Sequence, residues 1–220
     1  MAAHTKSIVW PNSSSVRKYL STVILTDLEK SSSKSYVPIV ALPKEQTSCV
    51  SVIERIRKLG QDSVLFSENE NAFMYVIGEM VDNVYQHSLF NNAFVMAQNY
   101  KHLGFLEIGF IDDGITIPGC FNKHGLSYDE PSHYQAIIDA LSGLSTKEGT
   151  QRGYGLSSSM NLFKALDGEA LVVSGCGAVY LNSKDALNLR LKRKNMLNGT
   201  LITLRVRDTR KKINIYDYIE

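Results

Sequence analysis

The last third of the chain carries four short apolar runs in succession, residues 170–174, 178–182, 186–192 and 200–206, punctuated by Gly175-Cys176-Gly177 and Asn198-Gly199. Runs of this length broken by turn residues read as strands, and strands joined by tight turns pair antiparallel. Upstream the apolar residues recur mostly at helical spacing. Helices grouped before a run of strands predict an α+β layer, a two-layer sandwich of a mostly antiparallel sheet with helices on one face, and argue against an alternating parallel fold. With 220 residues, 44% of them apolar and 21% charged, the chain can bury a full core as one domain.

After the polar tract at 12–15, Val16, Tyr19, Leu20, Val23, Ile24 and Leu28 predict a serine-capped helix up to Lys30. A short strand at 37–42 and a helix through Val52, Ile53, Ile56 and Leu59 complete an α/β lead-in, residues 1–62, that carries no recognisable chemistry. The most informative helix spans 67–88, with Phe73, Ile77, Met80, Val81, Val84 and Ser88 on one stripe. Residues 105–111 read as a central strand that delivers Asp112 and Asp113 to its end, beside Gly114. Pro131 opens a short helix carrying Tyr134, Ile137, Ile138 and Leu141. A glycine-punctuated loop at 143–155 then leads into a helix with Leu156, Met160 and Phe163 inward.

The net charge of +2 implies no polyanion partner. Arg190, Lys192, Arg193 and Lys194, then Arg205, Arg207, Arg210, Lys211 and Lys212, make the C-terminal quarter basic, which solvated strand faces explain better than nucleic acid does. Cys49, Cys120 and Cys176 lack disulfide or zinc spacing and are expected to be reduced, buried thiols. No signal pattern and no apolar run of about 20 residues is present, so a soluble cytoplasmic protein with no membrane contact is expected.

Three segments carry candidate chemistry. Glu79, Asn83 and His87 are spaced by four and share a polar stripe, with Asp82 one turn from Glu79; a carboxylate and an amide so placed can orient a water and complete a Mg²⁺ shell, although a solvated helix face has the same pattern. Asp112-Asp113-Gly114 ends a buried strand, either as a plain turn or as a carboxylate that accepts from an exocyclic amine and so prefers adenine to guanine. The loop from Ser145 to Leu156 enters a helix through Gly153 and Gly155, offering backbone N–H groups to an anion, with Lys147 and Arg152 adding charge and Ser145, Thr146 and Thr150 adding hydroxyls. It is neither a P-loop nor a Rossmann fingerprint.

In order, these segments resemble the ATPases of the gyrase, heat-shock chaperone, histidine kinase and MutL (GHKL) superfamily, in the stand-alone histidine-kinase-like form of its Bergerat fold. Glu79-Met80-Val81-Asp82-Asn83 with Gln86-His87 is similar to the N-box, Asp112-Asp113-Gly114 to the Asp-x-Gly box, and Leu144 to Lys147 with Gly153-Tyr154-Gly155-Leu156 to the lid and last glycine box. Gly199-Thr200 resembles the closing Gly-Thr. The resemblance covers about 65–207 and makes 63–212 the ATP-binding domain, with 213–220 as a tail.

It implies Mg²⁺ on Asn83, the adenine amine on Asp112, close approach of the base at Gly114, and support of that contact by Thr200 through water. Gly153 and Gly155 would bind phosphates, flanked by Arg152, Tyr154 and Leu156, with Lys147 reaching the terminal phosphates and Glu79 as general base; Asp82, His87, Ser145 and Thr146 are further candidates. Thr116 departs from the family's second glycine, and the last glycine box is shortened. The implied function is a slow, Mg-dependent ATPase working as a nucleotide-operated signalling switch for a protein partner, with residues 113–152 as a lid and a homodimer as a possible assembly. Alternatives are a serine/threonine kinase of the anti-sigma-factor type, with a histidine kinase less favoured, and a non-hydrolysing ATP-binding module.

Overall fold

The computed structural model describes residues 10–31, 35–61, 63–144, 146 and 154–218. It is an α+β fold whose strands are β1 (Tyr36–Ala41), β2 (Ala93–Tyr100), β3 (Phe105–Asp112), β4 (Glu169–Gly175), β5 (Gly177–Leu181), β6 (Ala186–Arg190) and β7 (Leu197–Arg207). They form one antiparallel sheet in the order β1-β2-β3-β7-β4-β5-β6. The last strand is therefore inserted at the centre, between β3 and β4. β1 pairs with β2, so the lead-in contributes a strand to the same sheet.

The helices are α1 (Ser14–Leu25), α2 (Val50–Gly60), α3 (Val64–His87), α4 (Ile117–Lys123), α5 (His133–Leu141) and α6 (Tyr154–Ala165). α3 starts where the Ser63 hydroxyl accepts from the Phe66 N–H at 3.3 Å. Its stripe of Phe73, Val76, Ile77, Met80 and Val81 is buried against Ile108 and Phe110 of β3 and Ile202 and Leu204 of β7 in one core. That apolar layer supplies most of the driving force for folding.

Several expectations change. β2 and α4 have no counterpart in the sequence reading. The first five residues of β2 are all apolar, which hides the alternation that burial reveals: Ala93, Val95, Ala97 and Asn99 inward, the rest outward. The expectation that every helix lies on one face fails for α1. Tyr19 Oη donates to Gln98 Oε1 at 2.7 Å, and Gln98 sits between the buried Ala97 and Asn99, so it projects from the opposite face. The α1 stripe is too short to cover that face: Val23 is buried, whereas Val16 and Tyr19 remain exposed. The Asn198-Gly199 pair does not make a hairpin turn. It lies within β7, where the register with β4 shifts between Ser174 and Gly175.

Two of the basic residues sit on the open face as anticipated. Arg205 Nη2 lies 2.6 Å from Glu107 Oε1, and Arg207 Nη2 lies 2.8 Å from Glu169 Oε1, forming a ladder of cross-strand pairs. Among the described residues no helix is long and apolar enough to cross a membrane.

The segment after β7 is tied down by one buried side chain. Asn69 leaves helical geometry (φ −136°, ψ 25°) inside α3; its Nδ2 donates to the Lys211 carbonyl at 2.8 Å and its Oδ1 accepts from Ile213 N–H at 3.0 Å. Ile213, Ile215 and Tyr218 then pack on the core. Asn69→Ala is expected to lower stability by about 2 kcal/mol, because it removes two hydrogen bonds and leaves the Lys211 carbonyl and the Ile213 N–H without that partner. Hydrogen exchange should show the chain beyond Lys211 losing protection first, and unchanged exchange there would refute this tie.

Candidate functional site

The end of β3, the start of β7, α3, α4 and the start of α6 enclose an open-mouthed cleft with about 820 Å³ of empty space, mouth included. Of the residues anticipated from the sequence, Asn83, His87, Asp112, Thr146, Gly155, Leu156 and Thr200 all line it. They come from five separate segments. Met80, Val84, Ile115, Ile117, Phe121 and Ile202 supply apolar walls suited to a planar ring.

At the base lies Asp112, only 6% exposed. Its Oδ1 accepts from the Gly114 N–H at 2.9 Å. Burial pushes this carboxyl up to about 6, against opposing hydrogen bonds from the Gly114 and Thr200 backbone. Its neighbour Asp113 is spent on structure: the Asn91 and Asn92 N–H groups donate to its Oδ1 at 2.8 and 2.7 Å, and Asn92 Nδ2 to its Oδ2 at 2.7 Å. Burial pushes Asp113 up, but these bonds outweigh it and hold the group below the usual carboxylate range. Of the two, only Asp112 faces the cleft.

Thr200 is the cross-strand partner of Asp112, and its Oγ1 lies 3.0 Å from Ser174 Oγ. Ser174 was not anticipated. It is fully buried, donates to the Gly199 carbonyl at 3.1 Å and accepts from the Ile117 N–H at 2.8 Å, so one hydroxyl joins β4, β7 and the start of α4. A polar residue in phase with the inward Ala170 and Val172 was the available signal. Thr116, the departure from the glycine pattern, caps α4 by accepting from Gly119 N–H at 3.0 Å. That cap builds a wall of the cleft.

On α3 the Asn83 amide faces the cleft, and its Nδ2 is buried with no hydrogen-bond partner among the described residues. Such a donor favours a ligand with acceptor oxygens. Glu79, one turn earlier, does not line the cleft. Its carboxylate lies against the first turn of α6, where a Cβ on Gly155 would stand 1.8 Å from Glu79 Oε2. Gly155, expected from its motif to bind phosphate, is also the residue that lets Glu79 approach α6. Beside it, burial first and then the Glu79 charge push the Tyr75 phenol up.

Two candidates lie away from the cleft lining. Asp82 does not line the cleft and accepts from Gln46 Nε2 in the lead-in, because it is set about 100° around α3 from Asn83. Gly114 does not line the cleft: a Cβ there would stand 2.0 Å from the Ser88 carbonyl, so the glycine serves the packing of the β3 end on the end of α3. Much of the anticipated lid is body rather than flap. Ala136 and Ile137 of α5 are fully buried, as is Phe121 of α4. Cys120, expected to be buried, is half-buried and lines the cleft; the three thiols are free. Ser145, Lys147, Arg152 and Gly153 lie outside the described residues, as does the Tyr154 side chain.

Among the described residues no group of three or more His, Cys, Asp or Glu side chains is placed to hold a metal. A cation here would take most of its oxygens from the ligand and water, which suits Mg²⁺ with a polyphosphate and one amide oxygen. Comparison with protein-family models, curated proteins and solved structures returns no match. The chemistry therefore rests on the cleft itself: apolar walls, a buried carboxyl acceptor at the base, and amide, imidazole and hydroxyl groups in its lining.

Proposed function

We propose that the chain is a Mg-ATP-binding domain of the GHKL type, a slow ATPase that works as a nucleotide-operated switch for a protein partner. The observation that carries this reading is the convergence on one cleft of Asn83, Asp112, Gly155 and Thr200, residues far apart in sequence and each anticipated from a different motif. In this reading the adenine amine donates to Asp112, whose neighbouring Thr200 is held by Ser174. Guanine presents a carbonyl at that position and would leave the carboxyl unpaired. Asn83 and phosphate oxygens would hold Mg²⁺, which neutralises charge on the phosphates. Glu79 orients the attacking water once the α6 turn shifts to release its carboxylate.

Calorimetric titration with ATP and GTP, with and without Mg²⁺, tests the binding. Magnesium-dependent ATP binding at least about 100-fold tighter than GTP is expected, with Asn83→Ala abolishing the magnesium dependence. No ATP binding by the folded protein would overturn the proposal. Glu79→Gln is expected to cut phosphate release about 100-fold without weakening binding; equal loss of both would remove Glu79 as the base. His87 lines the cleft one turn beyond Asn83, which keeps a serine/threonine kinase in view; transfer of label from γ-labelled ATP to a partner protein, rather than to free phosphate, would favour it.

A further inference from the structure

The two edges of the sheet are built differently. β1 is blunted by Pro38, by a register shift between Val37 and Val40, and by α1 packed beside it. β6 at the other edge has no proline, an unbroken register with β5, and all five residues exposed, Leu187 by 53% and Leu189 by 43%. Natural sheets rarely leave such an edge bare, because its outward N–H and C=O groups template another strand.

The backbone alternation can be read off the two ends of the β5–β6 hairpin. Asn182 N–H bonds the Asp185 carbonyl at 3.0 Å and Leu191 N–H the Cys176 carbonyl at 2.7 Å. Alternation between these ends turns the backbone of Leu187 and Leu189 toward β5 and that of Ala186, Asn188 and Arg190 outward. Their side chains divide too. Leu187 and Leu189 stand opposite Tyr180 and Ala178, on the sheet face that carries no α5. One residue beyond the strand come Lys192, Arg193 and Lys194; of these Arg193 pairs with Glu130 at 3.3 Å, both side chains well exposed.

We infer that β6 is a docking edge for an extended acidic segment of a partner protein, which adds an eighth strand. Apolar side chains of the segment cover Leu187 and Leu189, and carboxylates meet Arg190, Lys192 and Lys194. Charge weighs against a second copy: antiparallel self-pairing about Asn188 sets Lys192 opposite Lys184, and each copy brings Lys184, Arg190, Lys192, Arg193 and Lys194 to the seam against a single carboxylate, Asp185. A nucleic acid would satisfy the cations but has no alternating N–H and C=O groups for the backbone and nothing to cover the leucines.

The probe is a fluorescein-labelled peptide of about eight residues alternating valine and glutamate, followed by anisotropy on the full chain. Saturable binding is expected, weakened about tenfold or more when alternate peptide amides are N-methylated, and weakened similarly by Asn188→Pro, which removes one outward N–H and none of the β5 ladder. Arg190→Glu with Lys192→Glu should abolish binding and transfer it to a valine–lysine peptide. No binding by wild type, or equal binding of the N-methylated peptide, overturns the inference, as does capture of a single-stranded oligonucleotide in preference to the peptide. Dimerisation lost in Asn188→Pro would assign the edge to a second copy and equally refute it. Should Asn188→Pro fail to fold, the N-methylated peptide decides alone.

Discussion

Asp112→Asn is expected to weaken ATP binding by about 10- to 100-fold and erase the preference over GTP, while leaving the ligand-free protein no less stable at neutral pH. The binding loss follows from replacing a charged acceptor with an amide that can present either its oxygen or its nitrogen. The stability effect follows from burial. The folded carboxyl titrates at about 6, raised from an ordinary value of 3.8. Below pH 4 both folded and unfolded chains hold the proton and the group costs nothing. Between pH 4 and 6 the unfolded chain releases it while the folded chain keeps it, so stability falls as pH rises, and above pH 6 the full penalty remains.

That penalty is at most about 3 kcal/mol, offset in part by the hydrogen bonds from Gly114 and Thr200. Melting temperatures of wild type and variant at pH 4 and pH 7.5 give the check. The variant should gain on wild type as pH rises, by on the order of 1 kcal/mol. A gap that is independent of pH, or a variant less stable at pH 7.5, would remove the buried carboxyl from the account. ATP affinity of the wild type should also fall as pH drops through about 6, as the acceptor takes up its proton.

The larger effect on folding is expected at Gly199. It sits within β7 at φ +122°, a conformation that costs any L side chain, and an added Cβ would stand 2.0 Å from the Asp112 carbonyl oxygen and 3.0 Å from the Asp113 Cα. These obstacles are backbone atoms of the central strand and cannot swing aside. Gly199→Ala should cost on the order of 4 kcal/mol or more, a large part of the stability of a typical domain. Gly109→Ala is the control. That glycine is also in the central sheet, but its added methyl would meet only side-chain carbons of Thr203 and Met96 at 3.7 and 3.9 Å, ordinary contacts. Its denaturation midpoint should stay within about 0.5 kcal/mol of wild type. Equal losses at both positions would mean that any strand glycine is sensitive, and the contact with Asp112 would lose its special standing.

The sequence by itself determined the local features. The 3.6-residue stripe on α3 put Asn83 and His87 on one polar flank, the apolar run of β3 placed Asp112 at a strand end, and glycine spacing marked the entry to α6. Period and turn chemistry act over a few residues and are written in those residues. Only the tertiary structure decided what each face meets. β7 enters between β3 and β4, a pairing across about 90 residues that sets Thr200 opposite Asp112 and brings Ser174 beneath it. The same packing turned Asp82 to the lead-in, made Gly114 a seat for the Ser88 carbonyl, and sent α1 to the other face of the sheet. A periodic pattern reports that a face is apolar or polar; the partner that covers it comes from elsewhere in the chain, where no local rule reaches.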